Sequence, residues 1–264
     1  MKKFLLLAWA VIAVFSLNSC SKDDDGKKDD PNDPQPQEMR YVKSILGQSP
    51  HRGGWREIRT YEYDDNGRRT KMVRTMDNNI FTYNYTYNEN TVTIQKESIY
   101  EGEEPFKETS IVQLDANGYP LSRRSDYDTY VYGYDEDGHL ISVKETDNSG
   151  FEQTHTYTWF NDNLIDCSSP EPSSYEYNTT PVKLTSVDLN VVLSDELGLE
   201  WFDADHLIEK HSVNMLAKYY INGYNDPNRY ETFTYQFDED GYVTKVTTYD
   251  DGGTMASTFE ISYY

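Results

Sequence analysis

The sequence predicts an all-β domain. An antiparallel β-hairpin meander closes into a soluble barrel or strongly curled sheet, with a small helical insertion near 186–211. Three observations predict it. Aromatic and polar residues alternate along short segments, as in Phe81, Tyr83, Tyr85 and Tyr87 against Thr82, Asn84 and Thr86. One turn pattern recurs: aromatic, any, aromatic, Asp, any, Asp or Asn, Gly. Over 186–211 the apolar spacing switches from that of a strand to that of a helix.

Composition narrows the function classes. The 264 residues hold 24 Lys+Arg and 46 Asp+Glu, for a net charge of -22. Mean hydropathy is -0.83 and no second long apolar run follows the N-terminal one, which excludes a helical membrane protein. A pI near 4.5 repels phosphates and argues against a nucleic-acid partner. Only 2 Cys are present, too few for a disulfide scaffold, and 24 Tyr argue against a disordered chain.

The first element is an export signal. Met1-Lys2-Lys3 is basic, Phe4 to Phe15 is apolar, and Leu17-Asn18-Ser19-Cys20 follows. The apolar run is too short for a permanent membrane helix, so residues 1–19 read as a signal peptide. The ending resembles the bacterial lipoprotein box, which implies acylation of Cys20 and cleavage just before it. The alternative is an ordinary secretory signal with an incidental Cys. Ser21-Lys22-Asp23-Asp24-Asp25 resembles the acidic surface-export signal of Bacteroidota lipoproteins; the plain alternative is a solvated charge run. Residues 20–38 have no apolar periodicity and read as a disordered acidic and Pro-rich tether. As a flexible coil it reaches roughly 20–25 Å. Residues 1–19 carry two Lys, and 20–38 carry three Lys and seven acids. A net charge of -20 remains on residues 39–264, the β-barrel domain.

Hairpins follow in series. Tyr61 to Gly67, Val112 to Gly118, Tyr132 to Gly138 and Tyr235 to Gly241 each complete the turn pattern. Asp64, Asp115, Asp135 and Asp238 are placed to bond the backbone two residues on. Gly67, Gly118, Gly138 and Gly241 supply the positive φ that a tight hairpin needs. Degenerate copies without Gly end at Asn90 and Asn163, spaced so that each unit is one hairpin. The polar strand faces hold Arg56, Arg59 and Glu62 on one strand, and Lys96 and Glu97 on another. Charges at mid-depth in lipid cost about 2–4 kcal/mol each, so the aromatic face is expected inside and the polar face in water. Leu189, Val192, Leu193 and Leu197 fall at helical spacing after a capping Asp188. Asp203 and Asp205 are placed to cap a second turn holding Leu207 and Ile208. The insertion is expected in or across the barrel mouth, with a surface helix over a sheet edge as the alternative.

Two wider resemblances follow. The Tyr-Asp turns resemble the tyrosine–aspartate repeats of Rhs-type shells. Residues 39–264 resemble a Bacteroidota lipoprotein family of unknown function described as porin-like β-barrels, which implies that fold and assigns no catalytic or binding residues.

Candidate chemistry is thin. The Asp-x-Asp-Gly turns, with Asp135, Asp137, Asp238 and Asp240, supply two carboxylates each, short of the five or more oxygens of a calcium loop. The His residues are His51, His139, His155, His206 and His211, and none forms a zinc pattern. His206 with Asp203 and Glu209 shares a helical face, as solvated polar groups also do. His51 to Trp55 resembles an esterase oxyanion loop, but no Gly-x-Ser-x-Gly accompanies it. Cys167 reads as a buried small hydrophobe. Trp55, Trp159 and Trp201 and the tyrosines are core rings first and sugar-stacking surfaces second. The acids are too many for any pair to mark a glycosidase. No cofactor, metal or nucleic acid is expected. The reading is a lipid-anchored binding or structural module at the cell surface of the outer membrane, with a glycan as the candidate ligand. The alternatives are an envelope hydrolase acting on glycans, and a structural accessory subunit partnering an envelope protein complex.

Overall fold

The computed structural model describes residues 39–51, 54–168, 172–193, 207, 210–221 and 228–264. The strands are β1 (Val42–Gln48), β2 (Arg56–Tyr63), β3 (Arg69–Met76), β4 (Asn79–Asn88), β5 (Thr91–Ile99), β6 (Phe106–Leu114), β7 (Pro120–Arg124) and β8 (Asp128–Tyr134). They continue as β9 (Leu140–Asp147), β10 (Glu152–Phe160), β11 (Asn163–Ser168), β12 (Ser173–Pro181), β13 (Asn214–Tyr220), β14 (Tyr230–Phe237), β15 (Val243–Tyr249) and β16 (Met255–Tyr263). Each pairs with its sequence neighbours, and β1 pairs antiparallel with β16 to close the barrel. The helix α1 (Leu189–Leu193) lies in the long β12–β13 connection. The turns after β2, β4, β6, β8, β10 and β14 share one end with this connection, called the helix end below.

Alternation sorts the side chains. Tyr61, Tyr83, Tyr85, Tyr130, Tyr132, Tyr157 and Tyr175 point inward and are buried. Thr60, Thr86, Thr156 and Thr234 point outward and are exposed. Ion pairs cross the outer wall: Lys71 with Glu62 at 3.5 Å, Lys107 with Glu97 at 3.0 Å, Lys144 with Glu152 at 2.7 Å and Lys245 with Glu260 at 3.6 Å. A lipid-facing wall carries an apolar band, and these four strand pairs carry charges in its place. Among the described residues no helix is long and apolar enough to cross a membrane.

Porins of sixteen to eighteen strands leave an aqueous channel. Here rings fill much of that space. One apolar cluster joins β1, β2 and β8–β16 to α1, and a smaller one gathers Tyr83, Tyr85, Val92, Ile94 and Val112.

Two polar residues depart from expectation. Arg59 shares the face of Tyr61, two residues on, and points inward. It is compensated by Glu57, whose second oxygen takes Arg74 at 2.8 Å. Lys96 shares the face of Ile94 and lies over the Tyr83 ring at 5.4 Å. Strand period 2 overrides charge here, because partners on the same or a neighbouring strand satisfy these groups.

The turns have one shared geometry. Asp64 Oδ1 accepts the amides of Asn66 and Arg68 at 2.9 and 3.0 Å. Asp115, Asp135 and Asp238 accept the amides two and four residues on in the same way. Gly67, Gly118, Gly138 and Gly241 sit at φ 77°, 93°, 86° and 83°. The residue before each Gly keeps negative φ, so these are wider bulged turns rather than two-residue primed turns. Asp147 and Asp250, at the opposite end, make the same bonds without a preceding aromatic pair. Where Gly is missing after β10, Asn161 and Asp162 themselves take positive φ.

Several aromatics near the helix end have a further task. Tyr87 donates to the carbonyl of Arg69 at 2.9 Å and Trp159 to that of Leu140 at 2.8 Å. Tyr177 donates to Leu164 at 2.7 Å, Tyr235 to Leu216 at 2.6 Å and Tyr263 to Val243 at 2.8 Å. Each tie runs from the helix end of one strand to the start of the strand before it. A ring thus fills the core while its polar tip satisfies a backbone carbonyl.

The connection after β12 turns back into the barrel. Val182 donates to Val213 O at 2.8 Å, and Arg40 pairs with Leu184 and Ser186 at 3.1 Å each. Asp188 caps α1 through the Asn190 amide at 2.8 Å. Leu189, Val192 and Leu193 are buried. They join the main cluster inside the barrel rather than covering an edge, because closure leaves none to cover. Leu197, Trp201, Asp203, Asp205, His206, Ile208 and Glu209 lie outside the described residues, as do residues 1–38.

Candidate ligand cavity at the helix end

The described part of the inserted segment leaves an opening in the mouth. Between it and the wall formed by β2–β7 lies a cavity of about 630 Å³, lined by Tyr63, Arg68, Arg69, Tyr87, Tyr119 and Lys210 among others. That volume is typical of small-ligand sites. Arg68, Asn117, Gly118 and Lys210 form an exposed rim, while Arg69 is 3% exposed at the floor.

Hydrogen bonds hold the walls in place. Ser186 Oγ accepts from the Val42 amide at 2.9 Å and meets the Tyr63 hydroxyl at 2.7 Å. Tyr63 also reaches Val42 O at 3.0 Å. One serine of the inserted segment therefore ties β1 and β2 to the plug. Arg69 lies over the Tyr61 ring at 5.0 Å and donates to Ser186 O at 3.5 Å. Arg68 lies over the Tyr87 ring at 4.8 Å and pairs with Asp64 at 2.6 Å. Its bond holds Asp64 below the usual carboxylate range. Tyr119 stacks on Tyr134 at 5.4 Å. His211 Nδ1 meets Asp188 at 2.8 Å.

A second polar region faces inward nearer the opposite end. Arg123 approaches Glu108 at 3.9 Å and bonds Ser110 at 3.2 Å. Tyr130 donates to Glu145 at 3.2 Å. Burial, and then the Glu145 charge, holds Asp128 above the usual carboxylate range.

Of the turn residues singled out by sequence, Gly67 and Gly118 line the cavity, and Asp64 borders it through Arg68. Asp135, Gly138, Asp238 and Gly241 are elsewhere on the same end. Asp135, Asp137 and His139 bring three ligand atoms within 4.8 Å of one another. Asp135 is already engaged by two amides and by His139 Nδ1 at 3.1 Å. The other His139 nitrogen faces Asp162 at 3.2 Å, and its ring stacks on Trp159. The turn's own bonds account for the group. Cys167 is 1% exposed, and burial pushes its thiol up to about 12. Cys20 and Ser21 to Asp25 lie outside the described residues. Arg69, Tyr119, Ser186 and Lys210 were not anticipated. The one available signal was the pair Arg68-Arg69 directly after a turn in an acidic chain.

The barrel superposes on known structures. One is a porin-like protein from Bacteroides uniformis, 16% identical, with a TM-score of 0.63 over 86% of this chain and 99% of that one. Another is a porin-like protein from Bacteroides vulgatus, 14% identical, with a TM-score of 0.58 over 85% and 99%. The barrel is porin-like in fold. No family profile and no curated protein matches the sequence. The likeness extends to architecture, and the porin-like barrel described here has a charged outer wall.

Proposed function

We propose that this chain is a lipoprotein of the bacterial outer envelope, anchored at Cys20 and directed to the cell surface by Ser21 to Asp25. Its barrel is a binding module, and a glycan is its ligand class. The observation that carries the reading is the solvent-open cavity at the helix end, walled by Tyr63, Tyr87 and Tyr119 above an apolar core. Aromatic rings with polar tips suit sugar faces and hydroxyls. The sequence motif at Cys20 and the porin-like architecture support the location. A purely structural subunit has no need of such an opening.

The test is a thermal melt of the mature protein against a panel of polysaccharides and oligosaccharides. A ligand at ten times its Kd contributes about 1.4 kcal/mol, which raises the midpoint by roughly 3–5 °C. No shift across the panel moves the search to protein partners in the envelope. Mass analysis of the N-terminal peptide tests acylation at Cys20. The hydrolase reading is favoured by one observation, the Asp128 carboxyl held up beside Glu145. Product analysis of any shifted sample, with Asp128→Asn as the control, tests it.

A further inference from the structure

The end of the barrel opposite the cavity presents exposed rings. Tyr100, Phe106, Tyr127 and Phe151 stand at the β5–β6, β7–β8 and β9–β10 connections, each exposed by 43% or more. Tyr100 continues the alternation of the buried Ile94 and Ser98, and Phe106 that of Ser110 and Val112. Both rings therefore lie at the lip of the barrel's interior face. Tyr100 packs on Phe81 at 5.7 Å, and Phe106 on Tyr127 at 5.9 Å. Side chains tie neighbouring connections together. Asn78 donates to Glu101 at 2.8 Å, and Asn148 to the Asp126 carbonyl at 2.6 Å.

Charge selects the partner of this lip. Glu101, Glu103, Glu104 and Asp126 are exposed among the rings, and residues 100–105, 125–127 and 148–151 hold no Lys, Arg or His. The carboxylates of Glu103, Glu104 and Asp126 form no ion pair among the described residues. The flanking cations Lys107 and Arg124 alternate onto the outer wall, where Lys107 already meets Glu97 at 3.0 Å. Outside the described residues, the sequence after residue 38 holds one Lys or Arg, Arg52 of the β1–β2 connection. Inside the barrel, Tyr61, Tyr83 and Tyr130 each carry a cation of the chain over the ring, Arg69, Lys96 and Arg123. The four lip rings carry none among the described residues.

We infer that this lip docks a Lys- or Arg-rich segment of a partner protein, its cations seated on the exposed rings and paired by Glu103, Glu104 and Asp126. Ring faces attract ammonium and guanidinium groups, and the acidic surface steers them in. The extent of the lip fits a chain rather than a small ion. Five strand spacings separate β5 from β10, about 24 Å, which is the span of about seven extended residues. The inference stands apart from the helix-end cavity and from whatever that cavity binds.

Fluorescence anisotropy of labelled heptaarginine with the mature protein tests the inference, at about 0.15 M salt so that diffuse attraction is screened. The expected result is saturable binding, about tenfold or more tighter than that of triarginine. Phe106→Ala together with Tyr127→Ala weakens it about tenfold, and Glu103→Gln together with Glu104→Gln about fivefold. All four positions are exposed, so the thermal midpoint stays within a few degrees. Glu136→Gln together with Glu239→Gln removes the same charge at the helix end and leaves the affinity within about twofold. Indifference to the ring substitutions, or an equal loss from the helix-end pair, shows attraction to net charge alone and overturns the inference. Absence of saturable binding overturns it outright. A neutral oligosaccharide that binds the parent and is lost on Tyr127→Ala assigns the lip to a sugar and overturns it as well.

Discussion

Two buried tyrosines should respond in opposite ways to the loss of one oxygen. Tyr235 donates to the carbonyl of Leu216 at 2.6 Å, and Leu216 is itself 1% exposed. The Tyr157 hydroxyl is buried and has no hydrogen-bond partner among the described residues. Tyr235→Phe keeps the ring and removes the tie, leaving a buried carbonyl short of a donor. The cost is about 1–2 kcal/mol. For a domain of this size that lowers the thermal midpoint by roughly 2–8 °C. Tyr157→Phe removes a desolvated hydroxyl that bonds nothing described, so stability should hold or rise by up to about 1 kcal/mol. Melts of the two variants and the parent, followed by near-ultraviolet circular dichroism, read both values. Equal losses, or a larger loss for Tyr157→Phe, would refute the assignment of the aromatic tips as carbonyl ties.

Alkali should unfold the barrel cooperatively. Burial holds the hydroxyls of Tyr157 and Tyr175 well above the usual range and the Cys167 thiol near 12, so folding favours their protonated forms. Their contribution is complete below the unfolded values near 9–10 and is lost as pH rises toward the folded ones. The slope is about 1.4 kcal/mol per pH unit for each group, seen as simultaneous loss of circular dichroism and rise of tyrosinate absorbance. Exposed tyrosines ionise first; ionisation of the full tyrosine complement near pH 10 with the fold intact would contradict it. Acid acts at the turns. Arg68 holds Asp64 down and the Ser149 hydroxyl holds Asp147 down, so their support is complete above the ordinary carboxylate value and fades as pH falls through the lowered ones. The thermal midpoint should therefore decline below about pH 4, and a flat profile would argue against it. Gly118→Ala meets no atom within 4 Å and should cost only the positive-φ strain, about 1–2 kcal/mol. Gly67→Ala adds a Cβ at 2.0 Å from the Tyr41 hydroxyl and should cost distinctly more; equal losses in urea unfolding would show that Tyr41 moves freely.

The legible parts of this fold were local. Alternating Phe81 to Tyr87 and the Asp-x-x-Gly turns are read directly, because period and turn chemistry are written within a few residues. Asp188 and Leu189 to Leu193 were equally plain. Strand number was not, since β7 and β11 are short and lack an aromatic stripe. Arg59 and Lys96 show the limit of reading a charge as a sign of exposure. Each is satisfied by a partner on its own or a neighbouring strand that its local sequence alone does not reveal. The cavity was least legible. Its residues come from the helix ends of β2, β3 and β4, the β2–β3 and β6–β7 turns and both sides of the inserted segment, and only the folded barrel brings them together.

That closure also sets an order of events. Every strand pairing but one joins neighbours in the chain, whereas Val42 must meet Tyr263. Hairpins of this kind form in microseconds, but the last seam waits for the whole ribbon to curl. Until it does, β1 and β16 present two bare strand edges, each a template for pairing with another molecule. The bonds from Ser186 to Val42 and Tyr63 seat the first strands against the segment before α1. The plug that shapes the cavity thus also draws the barrel's beginning toward its end, shortening the interval in which a newly made chain is exposed to its neighbours.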